Sequence, residues 1–144
     1  MIQYEIFDQG SFLIIKYSGK IDMNTFESFL KLIFKNKNKN SFCKALSDFR
    51  DAELTFTIQD LNDIIKLRVA SSEGFSSSIK SVYLVHDVRE TVYTTLYANE
   101  ISKEIAGAHI CSTIEYAIKY LNLKTSISEL EGRINTLENT FLMK

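Results

Sequence analysis

The residues best able to do chemistry stand in two short groups. In "ALSDFRDAEL", Ala45 to Leu54, the charged side chains Asp48, Arg50 and Asp51 follow an apolar run. In "SVYLVHDVRE", His86, Asp87 and Arg89 do the same. Acids beside an Arg or a His can form an active site or a polar pocket. If each group ends a parallel strand, both lie at the sheet edge where open α/β folds bind ligands, and the six side chains would face one polar crevice. The same residue types also build turns and helix caps. Asp87 fits the cap of a following helix, while Asp48 and Asp51 fit turn acceptors or partners for Arg50. That turn-and-cap use accounts for them without a ligand and is the expected one.

Other chemistries lack their residues. His86 and His109 are the only histidines, and no G-x-S-x-G elbow accompanies them. Zinc needs clustered Cys and His, and here Cys43, His86, His109 and Cys111 are scattered. Neither G-x-x-x-x-G-K-[ST] nor G-x-G-x-x-G occurs. The expectation is therefore a non-enzyme with no catalytic residue, metal or cofactor. The lysines 31, 35, 37, 39 and 44 form a solvated run without interleaved aromatic residues from 35 to 41, and the net charge is -1. Nucleic acid is not an expected partner. No apolar run approaches the roughly 18 residues of a membrane span. The start, MIQYEIFDQG, has no basic and then apolar secretory pattern. Cys43 and Cys111 share no motif spacing and read as reduced thiols of a cytoplasmic protein.

The elements that must position these groups follow from periodicity. Residues 2–7 and 12–17 are strands around the turn residues Asp8 to Ser11, with Gly19 breaking the second. Phe26, Phe29, Leu30 and Ile33 mark a helix over 24–35, with Asn24 and Glu27 as its capping box. The tract Lys35 to Asn40 reads as a loop and 43–49 as the next strand. Thr57 and Asp60 cap a helix carrying Leu61, Ile64, Ile65 and Val69, and Ser71 to Ser78 form a loop. Ser81 to His86 is a strand. Asp87 and Glu90 cap a helix marked by Val92, Tyr93, Leu96, Tyr97, Ile101 and Ile105, which stops at Gly107. Ala108 to Cys111 is the last strand. Ser112 and Glu115 then cap a helix with Ile114, Ala117, Ile118 and Leu121 inside. The order β-β-α-β-α-β-α-β-α implies an α/β fold with a mixed, mostly parallel four- to five-stranded sheet. Helices pack on it, and an N-terminal β-hairpin supplies an antiparallel edge strand.

Three places carry a family likeness: "ALSDFRDAEL", "SVYLVHD" and "HICSTIEYAIKYLNL", the last with its Ser/Thr cap, acid, Ala and Tyr120-Leu121 pair. Over about residues 1–123 the chain resembles the SpoIIAA-like (STAS/SEC14-like) domains. The resemblance implies a four- or five-stranded mixed sheet and a protein-interaction role in regulation. Anti-sigma-factor antagonists of that group carry Asp-Ser-Ser-Gly at the helix after the third strand, with a phosphorylated Ser. Here the region reads Leu54-Thr-Phe-Thr-Ile-Gln-Asp60, without Ser-Ser-Gly.

Residues 124–144 read as a separate helical tail after a 1–123 domain. Ser126 and Glu129 form its capping box, and Ile127, Leu130, Ile134, Leu137 and Phe141 recur at spacings of three and four. A helix from about Ser126 to Phe141 that joins two copies into a homodimer is expected, and its removal should leave a folded domain. The overall expectation is a cytoplasmic protein-interaction domain that self-associates. The alternative is a carrier or sensor of a small apolar ligand or lipid, held against the helix bearing Tyr93 and Tyr97.

Overall fold

The computed structural model describes residues 1–35, 42–72, 79–104 and 108–143. The expected loop residues 36–40 and 73–78, Ile105 and the Gly107 stop lie outside them. The elements are β1 (Ile2–Phe7), β2 (Phe12–Ile21), α1 (Met23–Lys35), β3 (Lys44–Leu54), α2 (Ile58–Ser72), β4 (Lys80–Leu84), α3 (Val88–Glu104), β5 (Ala108–Cys111), α4 (Ile114–Leu121), α5 (Ile127–Asn135) and β6 (Asn139–Phe141).

The sheet order is β5-β4-β3-β2-β1-β6. Strands β2 to β5 pair in parallel. β1 pairs antiparallel with β2 on one side and β6 on the other. The sheet thus has six strands instead of four or five, and β6 covers the hairpin strand expected at the edge. Period-two alternation splits the core across two faces. Leu13, Ile15, Tyr17, Ala45 and Phe49 meet Phe26, Phe29 and Ile33 of α1 and Ile64 of α2 on the first face. Phe12, Ile14, Leu46, Val82 and Leu84 meet Ala117 and Leu121 of α4 and Leu130 and Ile134 of α5 on the second.

Several boundaries differ from the sequence expectation for local reasons. Gly19 does not end β2. The pairing with β3 shifts register between Lys16 and Ser18, and Gly19 takes φ +67, so the strand bends there and continues to Ile21. That extension gives residues 51–54 a partner, so β3 runs to Leu54 and the acid–Arg group lies in a strand, not a turn. Helix caps sit one or two residues from two of the expected positions. The Thr25 N–H donates to Asp22 Oδ1 at 2.7 Å, leaving Asn24 inside α1. Thr113, not Ser112, caps α4 by accepting from the Tyr116 N–H at 3.3 Å. The Thr57–Asp60 and Ser126–Glu129 pairs cap as expected.

The largest departure is the C-terminal segment. The helix ends at Asn135, and 139–141 pair with β1 as a strand. Leu130 and Ile134 are fully buried and Leu137 nearly so, all in this chain's second face. Phe141 packs on Phe29 with ring centroids 5.5 Å apart, and only Ile127 of the five seam residues is exposed. A stripe of threes and fours fits a sheet face as well as a second helix, and here the chain's own sheet takes it.

Candidate functional site

Asp48 and Arg50 are two positions apart in β3, so both point to the face under α5. Asp48 is 1% exposed. Arg50 Nε donates to Asp48 Oδ1 at 3.0 Å and Nη2 to Oδ2 at 2.8 Å. The same guanidinium reaches Glu131 of α5, with Nη1 to Oε1 at 2.8 Å and Nη2 to Oε2 at 3.0 Å. The Arg50 backbone N–H adds a bond to Asp48 Oδ1 at 3.0 Å. These bonds, those to Asp48 foremost, hold the guanidinium charged well beyond the ordinary Arg range. Asp51 pairs with Lys16 at 3.4 Å rather than with Arg50. Lys16 Nζ also donates to Asn135 Oδ1 at 3.0 Å. The network therefore clamps α5 to the sheet through two cations, Arg50 and Lys16.

The second group follows β4, the strand beside β3. His86 is exposed beyond the end of β4. Asp87 Oδ1 accepts the Arg89 N–H at 2.9 Å at the start of α3, and that bond keeps its carboxyl below the usual carboxylate range. The Arg89 guanidinium rests 5.8 Å from the Tyr93 ring centroid. Glu90, the expected second half of the Asp87 cap, is buried and accepts the Leu54 N–H at 3.1 Å, tying α3 to the end of β3. The structure thus brings Asp48 and Arg50 together, and sets Asp87 and Arg89 at the start of α3. Each group keeps its own partners: Asp48 and Arg50 bond to each other and Arg50 to Glu131, Asp51 to Lys16, and Asp87 to the Arg89 N–H.

Glu131, Lys16 and Asn135 complete the first network and Glu90 joins α3 to β3, yet none stood out in the sequence. Their partners are remote in the chain, and only the topology makes them neighbours. Among the described residues no three His, Cys, Asp or Glu side chains are placed to hold a metal. Cys43 and Cys111 are free thiols, and burial pushes the Cys111 thiol up.

On α3 the expected apolar stripe divides. Tyr93 and Tyr97 pack on the first-face core, while Val88, Val92 and Leu96 are 79%, 50% and 40% exposed. These three stand one turn apart along the outer side of the helix. Ile58, at the start of the neighbouring α2, is also exposed. Beneath Tyr93 and Tyr97 lie two small apolar cavities of about 30 and 60 Å³ that share Phe26, Phe49, Tyr83 and Tyr97 as walls. Each has room for a water or two, not an acyl chain. Tyr17 lines the larger one, and burial pushes its phenol pKa far up.

No protein-family model and no curated protein matches the sequence. Solved structures do match the fold. SpoIIAA in its unphosphorylated form, an anti-sigma factor antagonist, aligns over 85% of this chain and 98% of its own, with a TM-score of 0.54 and 14% identity. An uncharacterized DUF3478-family protein with a SpoIIAA-like fold from Shewanella loihica aligns over 83% and 93%, with a TM-score of 0.53 and 15% identity. An anti-sigma factor antagonist from Mycobacterium paratuberculosis aligns over 85% and 96%, with a TM-score of 0.52 and 16% identity. The chain has the SpoIIAA-like fold. No helix among the described residues is long and apolar enough to cross a membrane.

Proposed function

We propose that this chain is a non-enzymatic, cytoplasmic protein-interaction module that docks partners, including a second copy of itself, through the outer face of α3. The carrying observation is the exposed stripe Val88, Val92 and Leu96 on a helix whose opposite side packs Tyr93 and Tyr97 on the core. Exposed apolar side chains grouped along one element mark interaction surfaces better than scattered ones do. Two of the similar structures are, by name, antagonists of another protein. The strongest acid–base constellation, Asp48–Arg50–Glu131, spends its bonding capacity on α5, which leaves it little for a substrate. Two free cysteines fit a reducing compartment.

The module works without a phospho-switch at Thr57, the residue nearest the missing Ser-Ser-Gly. Its hydroxyl donates to Asp60 Oδ2 at 2.8 Å and accepts the Asp60 N–H at 3.1 Å, so it is committed to the cap of α2. A lipid-carrier role is disfavoured by the small volumes under Tyr93 and Tyr97.

The test is the double substitution Val92→Asp with Leu96→Asp, on exposed positions that leave the fold intact. Light scattering of the parent protein across concentration should show self-association that the double variant lacks. Affinity capture followed by quantitative mass spectrometry should retain at least one protein with the parent and lose it with the variant. A parent protein monomeric throughout, with identical captured sets, sinks the reading.

A further inference from the structure

At the opposite end of the sheet, where β2 and β3 begin, a cleft of about 430 Å³ opens between the Asp8–Gly10 turn, the start of β3, the α4–α5 connection and α5. Its walls carry three cations, Lys44, Lys124 and Arg133, against one carboxylate, Asp8. Phe12 and Leu123 supply apolar wall between them. The cations are not equally engaged. Lys44 Nζ donates to the Asn122 carbonyl at 3.2 Å and holds the α4–α5 connection in place. Arg133 Nη1 stands 3.7 Å from Asp8 Oδ1, and its guanidinium rests 5.2 Å from the Phe7 ring centroid. That contact offsets the Asp8 charge while leaving other guanidinium donors unassigned. Lys124 has no partner among the described residues.

The backbone around the cleft is unusual as well. Asp8, Gln9 and Asn122 are the non-glycine residues with positive φ in the described chain, at 53°, 58° and 51°. Two line this cleft and the third adjoins it. Asn122 takes this conformation as the C-cap of α4, and Asp8 and Gln9 take it in the turn between β1 and β2, so these conformations shape the rim of the cleft. Neither the acid–Arg clamp nor the α3 stripe uses this geometry.

We infer that the cleft binds a small organic phosphate, with its phosphoryl group on Lys124 and Arg133 and an apolar or planar body against Phe12 and Leu123. The volume falls within the roughly 300–1,000 Å³ of small-molecule sites. A phosphate monoester carries about −1.5 to −2 charges near neutral pH, which matches the cation excess better than a single carboxylate does. Arg supplies paired donors and Lys a mobile point charge, a combination suited to phosphoryl oxygens. The site is independent of the α3 surface, so either assignment can fail without the other.

Titration of the full chain with phenyl phosphate and with inorganic phosphate, at constant ionic strength and followed by amide chemical shifts, tests the inference. Phenyl phosphate should give saturable shifts confined to residues 8–12, 122–125 and Arg133, and bind at least threefold tighter than inorganic phosphate. Lys124→Ala and Arg133→Gln should each weaken it at least tenfold, and Lys124→Arg should retain it. Lys124 is exposed and has no partner among the described residues, so its alanine variant folds and decides the matter if Arg133→Gln does not. Shifts that never saturate, that spread over lysines elsewhere, or that survive Lys124→Ala overturn the site. Equal affinity for the two probes overturns the organic-phosphate assignment.

Discussion

At the scale of single residues, Arg50 is the pivot of the molecule's polar interior. It satisfies a carboxylate that is almost wholly buried and one that is not, since the Asp48 side chain is 2% exposed and that of Glu131 37%. Removing the cation strands the buried charge, which costs about 3–5 kcal/mol in comparable pairs. Removing the outer acid only loosens a solvent-screened contact worth at most about 1 kcal/mol. Urea denaturation should therefore show a large loss for Arg50→Ala and a small one for Glu131→Gln. The helix caps give a pH dependence of known sign. The Thr57 N–H holds the Asp60 carboxyl below its ordinary range, and the Ser126 N–H does the same for Glu129. A folded-state pKa below the unfolded one adds stability above the unfolded value and loses it as pH falls through the folded one. Urea midpoints should drop between about pH 5 and pH 2, and Asp60→Asn, which keeps an acceptor but does not titrate, should flatten that fall. At this scale the sequence was half legible. The Asp48–Arg50 pair was visible because its members are neighbours in the chain. Glu131 was not, because nothing local marks a helix acid whose partner lies in a distant strand.

At the scale of elements, most helices and strands were written in apolar periodicity and in cap residues. The errors fell where two structures share one pattern. "DFRDAEL" is as polar as a turn, yet it stays extended because Lys16 of β2 pairs with Asp48 and Ser18 to Ile21 pair with Asp51 to Leu54. The α5 stripe has the spacing of a dimer seam, and it is buried by the sheet instead. Point substitutions separate the two uses. Leu130→Ala removes a fully buried side chain and should cost about 2–5 kcal/mol, whereas Ile127→Ala, on the exposed turn, should stay within about 0.5 kcal/mol. Both should read the same at low and high protein concentration, since the contact is within one chain. Gly132 offers the reverse experiment. A Cβ there meets nothing within 4 Å and its φ is not left-handed. Gly132→Ala should raise stability by about 0.5–1 kcal/mol, seen as a higher thermal midpoint.

At the scale of the whole molecule, the C-terminal segment is part of the domain rather than an appendage. It supplies Leu130, Ile134 and Leu137 to the second-face core and the strand that covers β1. Deleting residues 125–144 should leave a chain that keeps helical circular dichroism but binds a hydrophobic dye and loses a cooperative thermal transition. A truncated chain that melts cooperatively near the parent's midpoint would restore the separable tail. The feature also bears on how the chain comes to fold during synthesis. Translation delivers β1 to α4 first, and the groove that α5 fills stays open meanwhile, with Phe12 and Ile14 wetted and the outer edge of β1 unpaired. Native stability therefore arrives late and all at once, when the last elements emerge. Until then the nascent chain carries two sticky surfaces, which makes this interval the one in which a chaperone has most to hold.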